Sequence, residues 1–113
     1  MSELCPKFEK AMQILSKRWT GLIVYRLLSG SLRFSEIEAS MPISGRLLSE
    51  RLKELEEEGI VHRSVYANVV PVRVEYGLTD KGQALEPIMR EIQSWAYEWT
   101  GTMTCDSPSV KGE

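Results

Sequence analysis

Cys5 stands immediately before Pro6, and a proline suits the first position of a helix, where its missing N–H costs nothing. The thiol is therefore expected at a helix N-cap, where unpaired N–H groups and the nearby Lys7 and Lys10 favour thiolate over thiol. A thiolate attacks soft electrophiles. The other cysteine, Cys105, lies near the far end of the chain. For both residues the plainer alternative is an inert thiol. A second constellation is built from Arg46, Ser49, Glu50 and Lys53, which offer donors to guanine, an acceptor for the amino group of cytosine, and partners for phosphate. Ser44 and Gly45 open the same segment, and a helix N-terminus there would itself attract phosphate. His62, Arg63 and Arg73 follow and could hold the phosphate backbone. The plainer reading of these charges is a solvated face with pairs at helical spacing.

Enzymatic chemistry finds little support. His62 is the only histidine, and no cluster of Cys, Asp or Glu surrounds it at metal-ligand spacing. No nucleophile elbow, P-loop or dinucleotide fingerprint is present, so neither a cofactor nor a metal is expected. Asp80 and Glu86 read as a cap and a solvated side chain.

The elements that must position these residues follow from period and punctuation. At 113 residues, length allows one domain, expected over residues 1–101, with a flexible tail over 102–113. A first helix from Pro6 carries Phe8, Ala11, Met12 and Leu15, and a second runs from near Trp19 to about Leu28. Leu32-Arg33-Phe34 suits a short strand, with Ser35 as the cap of a brief helix that Pro42 ends. Ser44 caps a charged helix over Gly45–Glu58, which Gly59 closes. On that helix Leu47, Leu48, Leu52 and Leu55 share one side, and Arg46, Glu50, Lys53 and Glu57 the other, with Ser49 at the margin. The period then changes from 3.6 to 2: Val61, Arg63 and Val65, and later Val72, Val74, Tyr76 and Leu78, alternate as two strands of a hairpin. Its tip, Ala67 to Pro71, is apolar, which does not favour arginine insertion into a minor groove. A single last helix is expected from Thr79-Asp80 to about Trp99, bent at Pro87. The fold class is mainly α with a small β-hairpin: a winged helix-turn-helix with extra N- and C-terminal dimerisation helices.

In the last helix Leu85, Ile88, Ile92, Trp95 and Trp99 step by three and four, the spacing of a helix–helix seam. A small domain has limited room for two further indoles, so Ile88, Ile92, Trp95 and Trp99, with Phe8 and Met12 of the first helix, are expected at a homodimer interface. Packing on the chain's own core is the alternative. Two subunits would present two recognition helices to successive turns of duplex DNA, at a pseudo-palindromic site.

The net charge of −2 seems unsuited to DNA, but residues 1–79 carry 11 basic and 10 acidic side chains against 3 and 6 in residues 80–113. The acidity belongs to the C-terminal part. With no apolar leader, no long apolar run and only two cysteines, a cytoplasmic, reducing location without membrane contact is expected.

Together these residues resemble the HxlR-type regulators, winged helix-turn-helix proteins related in fold to the MarR group. The resemblance spans roughly Cys5 to Trp99 and rests on separated blocks. These are Cys5-Pro6, Lys17-Arg18-Trp19, Arg33-Phe34-Ser35-Glu36-Ile37, Ile43-Ser44, Leu48-Ser49-Glu50-Arg51-Leu52-Lys53-Glu54-Leu55 and Pro71-Val72-Arg73-Val74-Glu75-Tyr76. Leu78-Thr79 with Gly82, Leu85 with Pro87, and Trp95 complete them. Ser16 replaces a glycine common in the family, and Glu56-Glu57-Glu58 puts negative charge at the end of the recognition helix, beyond the groove. The resemblance implies a homodimeric DNA-binding regulator, usually a repressor, on an inverted repeat. Its nearest likeness is to thiol-based sensors of quinones, aldehydes and disulfide stress. It assigns Cys5 to electrophile or redox sensing, by alkylation or by a disulfide to a C-terminal cysteine of the other subunit, for which Cys105 is the candidate. Two alternatives stay open: a winged-helix regulator that answers a small-molecule ligand bound between the dimer helices, and a winged-helix module that binds protein.

Overall fold

Ser44 is extended, and its hydroxyl oxygen accepts the Leu47 N–H at 3.2 Å, so one of the orphan donors of the following helix is satisfied from its first turn. That helix ends as cleanly. Gly59 takes φ +76°, and the N–H groups of Gly59 and Ile60 return to the carbonyls of Glu56 and Leu55, the paired bonds that glycine permits at a helix C-terminus. A computed structural model describes residues 4–101. It runs α1 (Pro6–Leu15), α2 (Thr20–Leu27), β1 (Leu32–Arg33), α3 (Phe34–Ala39), α4 (Gly45–Glu57), β2 (Val61–Tyr66), β3 (Arg73–Leu78), α5 (Asp80–Gln83) and α6 (Glu86–Trp99).

The core is assembled around α4. Leu48, Leu52 and Leu55 are buried against Ile23, Val24 and Leu27 of α2, Ile37 of α3, and Met41 and Ile43 of the turn between α3 and α4. Leu47, expected with them, is only half-buried. Full burial of such a side chain stabilises by about 1.5–3 kcal/mol, so the inward stripe of α4 holds its outward face in a fixed pose. The helix pair α3–α4 and the antiparallel sheet, in the order β1-β3-β2, form a winged helix-turn-helix. Ile60, Val61 and Leu78 close the core from the sheet side, and α6 contributes Met89.

Two local expectations are corrected. Ser35 does not cap α3; it lies inside it, and the N-cap is Arg33. Pairing of Leu32 with Tyr76 and Arg33 with Glu75 keeps the chain extended up to that residue. Glu36, three residues on, accepts the Arg33 N–H at 2.8 Å, and this bond is the main cause that holds its carboxyl below the usual range. The expected single C-terminal helix is also broken rather than bent. Proline has no N–H, and its ring meets the carbonyl four residues earlier, so α5 stops at Gln83 and α6 starts afresh with Pro87 in its first turn. Gly82 lets α5 approach the sheet: a β-carbon there would collide with the Ile60 carbonyl oxygen.

Among the described residues, no helix is long and apolar enough to cross a membrane, and no group of three or more His, Cys, Asp or Glu is placed to hold a metal ion.

Candidate nucleic-acid interface and thiol site

The stripe that buries Leu48, Leu52 and Leu55 turns Arg46, Ser49, Glu50 and Lys53 to the exposed side of α4. Arg46 is 92% exposed and sits 3.9 Å from Glu50. A surface pair of this kind contributes about 0–1 kcal/mol, so it gives way readily to a phosphate or a base edge. Lys53 enters no ion pair among the described residues. Ser44 and Gly45 lie at the N-terminal end of the same helix. The Ser44 oxygen is used as a cap, which leaves its hydroxyl proton available to donate. Gly45 is half-buried beside α3, where a β-carbon would lie 2.8 Å from a Glu38 carboxylate oxygen.

The hairpin divides its two arginines. Arg63 pairs with Tyr76 and Arg73 with Tyr66, and because side chains alternate along a strand, the two leave opposite faces. Arg73 shares its face with His62, Tyr66 and the Arg33 of β1, and it lies 3.8 Å from Glu75. Arg63, Arg73 and His62 are all exposed, but one flat face of the wing presents only one of the two arginines. The tip from Ala67 to Pro71 is exposed and apolar, with Val70 almost entirely in solvent.

Cys5 is the N-cap of α1, as its place before Pro6 implied. It is exposed, and its side chain makes no capping hydrogen bond, so the sulfur is free to react. Of the two cations near it in sequence, Lys10 is drawn to Glu58 at 3.1 Å, and Lys7 enters no ion pair among the described residues. Cys105 and the tail lie outside the described residues. The apolar seam is present and unfilled within the subunit: Phe8 is 59% exposed, Trp95 63% and Trp99 68%, and Met12, Ile88 and Ile92 are exposed as well. Of α6, only Met89 turns fully into the chain's own core. Leu85 is half-buried and lines an open apolar groove with Ile14, Leu15, Ile60 and Ile88.

Residues 14–104 match the profile of the HxlR-like helix-turn-helix family. The chain belongs to this family. A relative in Bacillus subtilis, the uncharacterized HTH-type transcriptional regulator YvaP, is 67% identical over 99 residues, 87% of this chain and 91% of that protein. The B. subtilis HTH-type regulator YodB is 46% identical over 106 residues, 91% of this chain and 94% of YodB. The reduced form of YodB superposes with a TM-score of 0.78 over 90% of this chain and all of that one. Its quinone-bound form gives 0.74 at 46% identity over 85% of this chain and all of the other. The redox regulator HypR, in its reduced form, gives 0.76 at 39% identity, covering 81% of this chain and 91% of HypR. The HxlR-family chain is thus a DNA-binding transcriptional regulator of the helix-turn-helix type, and the proteins it matches carry names of regulators, not enzymes.

One group of side chains was not marked by residue type. Arg51 lies in α4 in sequence between the exposed Ser49, Glu50 and Lys53, yet its side chain is only 17% exposed and reaches back to the Arg18 carbonyl at 2.9 Å. The available signal was its spacing: Arg51, Glu54 and Glu58 step by three and four along the margin of the leucine stripe, beside the core and away from Lys53.

Proposed function

We propose that this HxlR-family protein is a homodimeric repressor that binds an inverted-repeat operator through α4 and the wing and is released when electrophiles or oxidants modify Cys5. The observation that carries the DNA reading is the outer face of α4. Four polar side chains suited to groove and phosphate contacts project from a capped helix whose opposite side is locked in the core. In this reading residues 1–101 form the DNA-binding and dimerising domain, in the cytoplasm, and Cys105 belongs to residues 102–113, outside that domain. Phe8, Met12, Ile88, Ile92, Trp95 and Trp99 supply the subunit contact. The thiol reading rests on the exposed, unengaged sulfur of Cys5 together with the likeness to YodB, whose quinone-bound structure is known. A quinone would be held as a thioether to Cys5, and an oxidant would instead draw a disulfide between Cys5 and the partner subunit's Cys105.

The test of the DNA reading is a salt titration of binding to a duplex from the region upstream of the gene. Lys53→Ala is expected to weaken binding and lower the slope of log K against log salt by about one, the signature of one lost phosphate contact. Arg46→Ala should relax base preference as well, at a cost of about 1–3 kcal/mol at the preferred sequence. A protein-binding module would show no steep salt dependence in either case. The open groove of Ile14, Leu15, Ile60, Leu85 and Ile88 favours a second effector reading, a small apolar ligand. That ligand would release DNA equally from the Cys5→Ser protein.

A further inference from the structure

Trp19 is the only residue other than glycine with a positive φ among the described residues, at +79°, and it forms the N-cap of α2. A tryptophan in the left-handed region is strained, and such a conformation persists only where its surroundings over-determine it. The surroundings here come from α4. The Arg51 Nε donates to the Arg18 carbonyl at 2.9 Å, one residue before Trp19. The Arg51 Nη1 lies 3.3 Å from one oxygen of Glu54, and the other oxygen of Glu54 lies 3.1 Å from Lys17 Nζ. The Arg18 guanidinium rests 4.9 Å above the Trp19 ring. Two neighbouring residues of the turn, Lys17 and Arg18, are thereby joined through one carboxylate and one guanidinium to two residues a turn apart on α4. At the C-cap of α4, Glu58 pairs with Lys10 of α1 at 3.1 Å.

The geometry points to Arg51, Glu54 and Lys17 as a clip that sets the pose of α4 against α1 and the turn that follows it. Arg51 is then a positioning residue of the DNA interface and not a groove contact. The guanidinium is suited to this because its planar fork serves a carbonyl and a carboxylate at once, and at 17% exposure it is largely withheld from solvent. Lys53, two positions on, has the opposite character: exposed and unpaired among the described residues. Through Lys17 and the Lys10–Glu58 pair the clip also puts the recognition helix in contact with the helix that Cys5 begins. The inference rests on α4 being the helix that meets DNA.

Two measurements on the full chain test it. In the salt titration, Arg51→Met is expected to weaken binding to the upstream duplex about tenfold with the slope unchanged, because no phosphate contact is removed. Glu54→Gln should act in the same direction by a few fold and serves if Arg51→Met does not fold. By hydrogen exchange without DNA, the amides of the Lys17–Thr20 turn and of Leu52–Glu57 should exchange faster in either variant. A slope that falls by about one in Arg51→Met would make Arg51 a phosphate contact and overturn the clip, as would unchanged exchange at both segments. If the unmodified protein shows no salt-dependent binding to duplex DNA, the DNA reading fails by itself; faster exchange in the variants would still uphold the clip, and unchanged exchange would overturn it too.

Discussion

Ile92→Asp combined with Trp95→Asp should leave the proposed dimer as monomers and reduce binding to the upstream duplex by at least about a hundredfold. The present exposure of Ile92, Trp95 and Trp99 on one side of α6, with Phe8 and Met12 on α1, is the reason. A monomer exposing this many large apolar side chains on two helices is unusual, and such surfaces mark association sites. Covering about 80 Å² of apolar surface at Ile92 and Trp95 together stabilises by roughly 2 kcal/mol per copy. In a two-fold interface each substitution counts twice, which puts the change near 4 kcal/mol, or about a thousandfold in the dimer dissociation constant. Loss of the second half-site follows from loss of the second subunit. Sedimentation velocity gives the assembly state, and the Arg46 to Lys53 face is untouched, so weak non-specific binding should survive. A variant that remains dimeric would place the subunit contact elsewhere.

The second large effect concerns release. Cys5→Ser should bind the upstream duplex like the unmodified protein and stay bound after treatment with a quinone or with diamide, conditions under which the unmodified protein loses binding by about a hundredfold or more. The side chain of Cys5 accepts no capping bond and is exposed, so serine costs little structure, while a hydroxyl does not add to quinones as a thiolate does. Cys105→Ser separates the two chemistries: it should still release DNA after quinone addition to Cys5 but not after diamide, which needs a second thiol. Mass spectrometry of the treated proteins reports the thioether or the cross-linked dimer directly. Release of DNA from treated Cys5→Ser would contradict the thiol reading and favour the ligand groove.

Much of this architecture was legible because single residues settled it. Ser44 and Gly59 delimit α4, and Leu48, Leu52 and Leu55 orient it, from which the exposure of Arg46, Ser49, Glu50 and Lys53 follows without further information. Alternation from Val61 to Val65 and from Val74 to Leu78 showed the wing. Other features depended on contacts that spacing does not carry. The faces of Arg63 and Arg73 are decided by strand register, which the apolar tip left open. Pro87 could bend a helix or begin one, and it begins one because α5 is pinned to the sheet through Gly82 and Thr79, whose hydroxyl donates to the carbonyl of Gly59 and accepts from the Gly82 N–H. The left-handed Trp19 and the inward turn of Arg51 are one feature seen from two ends, since neither residue type reveals the other. Cys105 lies outside the described residues, and its pairing remains a proposal carried by resemblance.

Footprinting of the upstream region with the untreated and the quinone-treated protein addresses the central claim most directly. Two protected half-sites of inverted sequence, centred about one helical turn of 10–10.5 base pairs apart or a multiple of it, should appear with the untreated protein and vanish on treatment. Protection of a single unrepeated segment, or none at any salt, would contradict it.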